Sequence, residues 1–436
     1  MPAVGRTASS RPQAHTYDAV VVGGGPCGAT AAQTLAERGL DVVLLDRDGR
    51  IKPCGGAIPP RLVRDFDISN SQIVARAKAA RVISPTGQEV DMPIDGGYVG
   101  MVDRADFDEW LRARAAEKGA ERHTGTFKTI ERDEDGTALV VYAPKRADKA
   151  ARADEVTGEG AVSEDAHGTH ERDSGSALVR LRARMVIGAD GANSGVARAA
   201  LPDVKRARFV FAYHEIIERP APSAHSTYDG DRCDIYYDGR LSPDFYAWVF
   251  PHGETASVGV GSANKGFSLK EATRATRAAS GLEGVRTLRK EGAPIPMQPM
   301  KRWDNRRDVV VAGDAAGVVA PASGEGIYYA MVAGQFAAHA VEEAIATGNA
   351  KALAQARRRF MKAHGRVFWA LGWLQYFWYA NDKRRERFVS MCRDPDVQRL
   401  TWQAYMNKEL VRRDPMAHLR VLKKDIAHLF GLVAPR

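Results

Sequence analysis

From Asp18 to Val22 the chain reads DAVVV, an apolar run without polar alternation, and a glycine turn follows it. A strand buried on both faces of a parallel sheet has this pattern. The turn Gly23-Gly24-Gly25-Pro26-Cys27-Gly28 opens a helix-forming run, ATAAQTLAERG, that stops at Gly39. A second apolar run, Asp41 to Leu45, ends at Asp46. Together these predict a strand–turn–helix–strand unit. Between residues 207 and 261 the runs RFVFAYHEII, RCDIYYDG, FYAWVF and TASVGVG alternate polar with apolar and predict an antiparallel sheet. Val309 to Ala312 predicts another buried strand, and Ile327 to Thr347 a long helix. From Lys351 onward the chain reads as helical, with Pro395 and Pro415 near helix starts. Two strand-like runs, Ala138 to Ala143 and Ala177 to Arg182, flank residues 144–176. That segment has no Leu, Ile, Met or aromatic residue, and 13 of its 33 residues are charged. Burial there cannot offset the entropy of ordering, so a disordered expansion of a hairpin tip is expected. No internal repeat is visible.

The 436 residues are 44% hydrophobic and 27% charged, an ordinary globular composition. The four cysteines, Cys27, Cys54, Cys233 and Cys392, are scattered and form no CxxC. This excludes a disulfide scaffold, a structural zinc site and a dithiol reductase, and it fits a reducing cytosol. His167 and His170 form an HxxH in the charged insertion without neighbouring ligands, and no metal site is expected. Residues 1–16 are small and polar, a loose tail rather than a signal peptide. The nearest candidate for a span, the aromatic-rich Val367 to Ala380, is shorter than the roughly 20 residues a spanning helix needs. The net charge is +9, but from Lys351 to the end 19 basic residues stand against 7 acidic ones, so the remainder of the chain carries −3. Such a block suits anionic lipid, an acidic protein partner or a pyrophosphate. No recognition motif accompanies it, so nucleic acid is not expected.

Three motifs carry the chemistry. Gly23-x-Gly25-x-x-Gly28 follows a strand and opens a helix, and Asp46 ends the next strand. The first glycine allows the tight turn and the second lets a pyrophosphate approach the backbone. The third lets helix pack on strand, and an acid at the position of Asp46 bonds a ribose diol. Met185 to Ser194, with Asp190-Gly191, and Val309 to Gly317, with Gly313-Asp314, are each a strand ending in a small residue before an Asp-Gly or Gly-Asp turn. By themselves these two are common strand-to-turn elements.

In this order the three resemble the fingerprints of the FAD-dependent hydroxylase/reductase superfamily. Two further stretches are more specific. Lys52-Pro-Cys54-Gly55-Gly56-Ala-Ile-Pro-Pro-Arg61, together with Tyr246-x-Trp248-x-Phe250-Pro251 and Gly259-x-Gly261, resembles the geranylgeranyl reductase family. The C-terminal run from Tyr376 to Leu410 resembles its chlorophyll and bacteriochlorophyll branch. The resemblance covers Tyr17 to about Leu432 and implies an α/β fold: a glutathione-reductase-type Rossmann FAD-binding domain, an antiparallel substrate sheet and a C-terminal helical region. On that reading residues 17–80, 99–206 and 294–350 form the FAD domain and 81–98 with 207–293 the substrate domain. Residues 351–436 form the basic and aromatic helical region.

The resemblance also implies roles. Gly23, Gly25, Pro26, Gly28, Asp46, Arg47, Asp190, Gly191 and Gly313 lie on the FAD side, and Asp314 meets a ribityl hydroxyl. Arg104 in MVDRADFDEWL matches a cofactor-side arginine, with a surface salt bridge as the plainer reading. Gly324-Glu325-Gly326-Ile327 begins the helix whose N-terminus faces the flavin ring. Gly55, Gly56, Tyr246, Trp248, Phe250, Pro251, Gly259 and Gly261 belong to the substrate side. There the aromatic residues share one face and the two glycines leave a cleared floor for an isoprenoid chain. The reaction implied is saturation of isolated alkenes in a C20 chain, the geranylgeranyl group being on a diphosphate or esterified to a (bacterio)chlorophyll. Hydride comes from reduced FAD, and a proton must reach the other carbon. A thiol with an ordinary pKa of about 8.5 keeps its proton at neutral pH, which makes Cys54 the expected donor; the plainer reading of Cys54 is close packing. Cys27, Cys233 and Cys392 are expected to be structural.

No second GxGxxG unit exists for a resident nicotinamide, so NADPH or reduced ferredoxin is expected to bind transiently. Seven aromatic residues between Phe368 and Tyr379 precede Lys383, Arg384, Arg385 and Arg387, while Met416, Leu419, Ile426 and Leu429 recur at helical spacing beside Arg420, Lys423 and Lys424. The pattern suits a peripheral membrane contact, and the resemblance implies a cytoplasmic protein on the face of the photosynthetic membrane; a helical cap with a solvated basic face is the plainer reading. Two rival functions are a flavin monooxygenase of the aromatic-hydroxylase type and a non-catalytic prenyl carrier.

Overall fold

The computed structural model describes residues 15–47, 51–145, 177–205, 207–221 and 225–408. The expectations about the N-terminal tail up to residue 14, the HxxH insertion, Pro415 and the helix around Leu419 and Ile426 fall outside the described residues.

Along the chain the strands are β1 (Thr16–Val22), β2 (Val42–Asp46), β3 (Ala57–Ile58), β4 (Ala75–Ala77), β5 (Ala79–Ile83), β6 (Glu89–Pro93), β7 (Val99–Met101) and β8 (Glu121–Arg132). There follow β9 (Ala138–Pro144), β10 (Val179–Gly188), β11 (Phe209–Glu218), β12 (Arg232–Tyr236), β13 (Ala247–His252), β14 (Thr255–Ser262), β15 (Thr287–Pro296) and β16 (Val309–Val311).

The first sheet has a parallel core in the order β16-β10-β1-β2-β8. Antiparallel pairing of β8 with β9 and of β9 with β10 extends it into a meander. The apolar runs are buried throughout: Ala19 to Val21, Val42, Val43 and Val309 to Val311 are all at 0% exposure. The run Ala177–Arg182, from Val179 on, and Met185–Gly188 prove to be parts of one strand, β10, rather than two elements. The helix Pro26–Ala36 lies close on this sheet because its buried residues are small: Ala29, Ala31 and Ala32. It also lies against the helix Ile327–Thr347, where a Cβ on Gly334 would stand 2.3 Å from the Cys27 carbonyl oxygen. Leu35 fills the same core at 0% exposure, and its truncation to Ala costs about 2–5 kcal/mol.

The second sheet has seven strands in the order β15-β11-β14-β13-β12-β5-β6. The alternating runs are in it, but it is not purely antiparallel, because β12 pairs with β5 in parallel. The alternation identified strands correctly and could not tell that one partner comes from residues 79–83. One face packs on the helix Leu269–Ala279 through Val249, Val258, Val260 and Ala272. The other carries Phe245, Tyr246 and Trp248 and is covered by the helices Gln355–Trp378 and Asp382–Met391 through Trp378, Tyr379, Val389 and Met391. A small sheet, β3-β7-β4, pins the segment after Cys54 between the two large ones. Among the described residues no helix is long and apolar enough to cross a membrane.

Candidate active site

Parallel register places three motifs on one sheet edge. Val22 lies opposite Leu45 on one side and Gly188 on the other, and Gly188 lies opposite Val311. The turns after these strands therefore emerge together at the carboxyl ends, where open α/β sheets bind ligands. Gly23 has a left-handed backbone (φ +105°), and a Cβ there would stand 2.4 Å from the Ala189 carbonyl oxygen. A Cβ on Gly28 would lie 1.7 Å from the Gly23 oxygen. Gly25 differs: the nearest atom to its would-be Cβ, Asp108 Oδ2, is 4.0 Å away. Gly25 is also the N-cap of the helix that Pro26 opens, with no side-chain cap. A bare helix N-terminus over open space fits an anionic pyrophosphate.

A cleft of about 300 Å³ adjoins this edge and is lined by Asp46, Arg47, Arg104, Asp108, Arg112 and Thr124 among others. Burial pushes the Asp46 carboxyl up, and the nearby Arg112 guanidinium, 3.3 Å from Oδ2, draws it back. Arg112 also donates to the Gly24 carbonyl at 3.2 Å. Arg104 is not in a surface salt bridge. It is 6% exposed, and its Nε and Nη2 donate to Asp108 at 2.8 and 2.7 Å. The Cys54 sulfur also interacts electrostatically with this guanidinium. Arg104, Asp108 and Arg112 occur at i, i+4 and i+8 of the helix Arg104–Glu117, so the spacing that brings them to one face was legible, although only Arg104 was singled out. The Asp190 carboxylate is engaged in capping, accepting from Ser194 Oγ at 2.5 Å and from the backbone N–H of Gly195 and Val196. What borders the dinucleotide turn here is backbone, Ala189 O against Gly23, rather than that carboxylate.

The Gly313-Asp314 motif meets the stretch Lys52–Arg61. Lys52 forms an ion pair with Asp314, whose side chain is 7% exposed. Behind them Cys27 is buried against Gly313, and desolvation raises its thiol pKa. Two residues past Lys52, Cys54 Sγ accepts from Gly56 N–H at 3.4 Å. Gly56 has φ +70°, and a Cβ there would come within 2.5 Å of Val102 O and 2.6 Å of His252 Nε2, so no other residue fits. A Cβ on Gly55 would touch the Phe250 ring at 3.2 Å. The thiol loop thus packs directly on the aromatic row.

In that row Tyr246, Trp248 and Phe250 share a face, with successive ring centroids 5.9 and 6.1 Å apart. Tyr246 Oη donates to the Ser323 carbonyl at 2.6 Å, tying the row to the loop that leads into the helix Ile327–Thr347. Gly326 is that helix's N-cap, and the Glu325 carboxylate accepts from Tyr328 N–H at 2.9 Å. Gly259 and Gly261 do not leave a cleared floor. The space over Gly259 holds the Trp248 indole (2.3 Å from a would-be Cβ), and that over Gly261 the Phe245 ring (2.5 Å). The expectation is corrected because both spaces are filled by rings of β13 and of the residues leading into it. On the far side Trp402, Tyr405 and Met406 of the helix Pro395–Asn407 pack with Phe250, and Lys408 at its end pairs with Glu325. These last residues lie in the C-terminal run that carries the resemblance, but nothing in the sequence singled them out as neighbours of Phe250 and Glu325.

Fold and cradle define an FAD-binding oxidoreductase scaffold, and residues 16–359 match the family described as "FAD binding domain". The chain is 54% identical to the geranylgeranyl diphosphate reductase of Rhodobacter capsulatus over 96% of its own length and 99% of that protein's. It is 34% identical to the chloroplastic geranylgeranyl diphosphate reductase of Oryza sativa, covering 99% and 91% of the two chains. It therefore belongs to the geranylgeranyl diphosphate reductase family. Among solved structures, a geranylgeranyl bacteriochlorophyll reductase-like protein of Thermoplasma acidophilum superposes with a TM-score of 0.73 over 92% of this chain and 99% of the other, at 22% identity, which shows the shared fold.

Proposed function

We propose that the chain is an FAD-dependent geranylgeranyl reductase that saturates isolated double bonds of a geranylgeranyl group, carried on a diphosphate or on a (bacterio)chlorophyll ester, to give phytyl. The observation that carries this is the convergence at Lys52–Gly56: one short loop reaches Asp314 through Lys52, presents the Cys54 thiol and lies on Phe250. Bound FAD, once reduced by NADPH or a reduced ferredoxin, supplies the hydride. Everything else falls to the chain. An unactivated alkene offers no oxygen for a donor to polarise, so orientation and exclusion of water must do the work. Phe250, Trp248 and Tyr246 give an apolar wall to lay the chain on. Cys54 holds the proton at Sγ, and Arg104 stands ready to stabilise the thiolate left behind. Gly25 and the helix behind it take the pyrophosphate of FAD, with Asp46 at the ribose.

The enzyme works in the cytoplasm, peripheral on the photosynthetic membrane. The support is a face of the helix Gln355–Trp378 on which Trp369, Trp373 and Tyr376 are 75%, 51% and 82% exposed. The test is anaerobic incubation of the flavin-loaded protein with dithionite and either substrate, followed by mass spectrometry. The expected product gains two hydrogens per reduced bond. No gain despite bound FAD overturns the proposal, and a gain of one oxygen under air identifies a monooxygenase instead.

A further inference from the structure

One row across the second sheet holds, side by side, Trp248 on β13, Gly259 on β14, His214 on β11 and Glu291 on β15. Ser257 lies two residues from Gly259 and so on the same face. Because Gly259 has no side chain, the Trp248 indole lies across it and reaches Ser257: Nε1 donates to Oγ at 3.1 Å. An indole N–H can only donate. The Glu291 carboxylate can only accept, so its Oε2, 3.0 Å from His214 Nε2, requires the imidazole proton on Nε2. In the neutral ring Nδ1 is then the acceptor, and the Ser257 hydroxyl, 2.9 Å away, donates to it. Arg289 closes the line with an ion pair to Glu291 Oε1 at 2.7 Å.

Trp248, Ser257 and His214 are 6%, 0% and 3% exposed. A polar line this deep in an apolar face is unfavourable unless every member is satisfied, and when satisfied it allows one arrangement only. Packing alone would have been served by Phe at 248 and Ala at 257. The polar line adds a fixed rotation of the indole about its own axis.

We infer that Ser257, His214 and Glu291 are positioning residues that lock the Trp248 indole, and that this locked ring sets where a C20 chain rests along the aromatic wall and hence how far its reduction proceeds. The second half rests on the proposed function, and the first does not. Trp248 is the middle ring of the wall, between Tyr246 and Phe250, so a shift in its plane moves the surface on which successive isoprene units must halt.

The two halves separate experimentally. The full-length protein labelled with 5-fluorotryptophan has seven tryptophans, and Trp248→Phe assigns one fluorine resonance. Ser257→Ala and His214→Asn should each move or broaden that resonance and leave the others in place, with no substrate present. Dithionite-driven turnover of geranylgeranyl diphosphate should then show Ser257→Ala releasing partly reduced product at roughly threefold to tenfold the wild-type proportion, the weight of one hydrogen bond. Trp248→Phe should do the same, and the double variant should do no more, because the serine acts through the tryptophan. An unmoved Trp248 resonance in both single variants, or additive effects in the double, overturns the inference. Should Ser257→Ala fail to fold, His214→Asn in the Trp248→Phe background reads the same coupling. Failure of the wild-type protein to reduce the substrate counts against the proposed function alone, and the fluorine spectra still decide the lock.

Discussion

Lys408 Nζ lies 3.0 Å from Glu325 Oε2, and both side chains are only 4% exposed. The pair joins the end of the helix Pro395–Asn407 to the residue just before the N-cap of the helix Ile327–Thr347. Lys408 also stands 3.8 Å from the Tyr405 ring centroid and 5.8 Å from that of Tyr329. Burial pulls its pKa below the usual lysine value, and the Glu325 charge opposes that. Removing one partner leaves the other as an unpaired buried charge, so Lys408→Met should destabilise the protein by about 3–5 kcal/mol, whereas Lys408→Met with Glu325→Gln should recover most of the loss. Urea denaturation of the three proteins checks this; equal stability of single and double variants would show that the pair does not hold the helix down.

Gly25 and Gly28 should respond in opposite ways. Alanine at 25 meets nothing nearer than 4.0 Å and suits its backbone (φ −75°), so the fold should be untouched while the methyl fills the space a pyrophosphate needs. Alanine at 28 would collide with Gly23 O at 1.7 Å and should destabilise the chain itself. The expected outcome is a normal melting temperature with loss of bound flavin absorbance for Gly25→Ala, and a lowered melting temperature for Gly28→Ala. Retained flavin in a well-folded Gly25→Ala protein would contradict the assignment of the cradle.

How much of this was legible depended on how local the relationship is. The roles of Gly23, Gly25 and Gly28 follow from spacing within one turn, and Trp369, Trp373 and Tyr376 separate from buried Phe368 and Trp378 by helical period alone. The contact of Lys52 with Asp314 spans 262 positions, and no periodicity reports it. Gly259 was misread because the ring that fills its space, Trp248, belongs to the neighbouring strand β13, and strand pairing is not written in the alternation. Lys408 looked like one more cation in a basic tail, since burial of a charge is decided by what packs over it.

Cys54→Ala tests the proton. The residue is half-buried on a loop set by Gly55 and Gly56, so losing one sulfur atom should leave fold and flavin content unchanged. Loss of a positioned acid should slow product formation by roughly 100-fold or more. Comparing anaerobic single-turnover rates at equal flavin loading measures this. Undiminished turnover would reduce Cys54 to a packing role.

His252 gives the protein an acid limit. Burial pushes its pKa from 6.5 down to about 4, and its Nδ1 lies 3.3 Å from Phe250 O. Between those values the unfolded chain takes up a proton that the folded one refuses. Stability from this group is therefore complete above pH 6.5 and is lost as the pH falls toward 4. The loss is at most about 3 kcal/mol, and less where water reaches the ring. Unfolding midpoints at pH 7.5 and 5.0 should differ more for the wild type than for His252→Gln; an equal difference would place the acid sensitivity elsewhere.

The exposed aromatic face predicts a membrane phenotype. Lys362, Arg366, Trp369, Trp373 and Tyr376 recur at intervals of three and four residues on one helix, and all are exposed. Rings of this kind favour the headgroup boundary, and adjacent cations favour anionic lipid. Inserting each ring contributes on the order of 1–2 kcal/mol by its apolar area. The variant with Trp369, Trp373 and Tyr376 all changed to Ser should thus bind anionic vesicles at least roughly 100-fold more weakly. It should keep its melting temperature, since the buried side of the helix, Phe360, His364, Phe368 and Trp378, is untouched. High salt should weaken wild-type and variant binding by a similar factor, because screening Lys362 and Arg366 removes the same free energy from both. Co-sedimentation with vesicles at low and high salt measures both effects. If the variant sediments as well as the wild type at each, the face does not touch lipid.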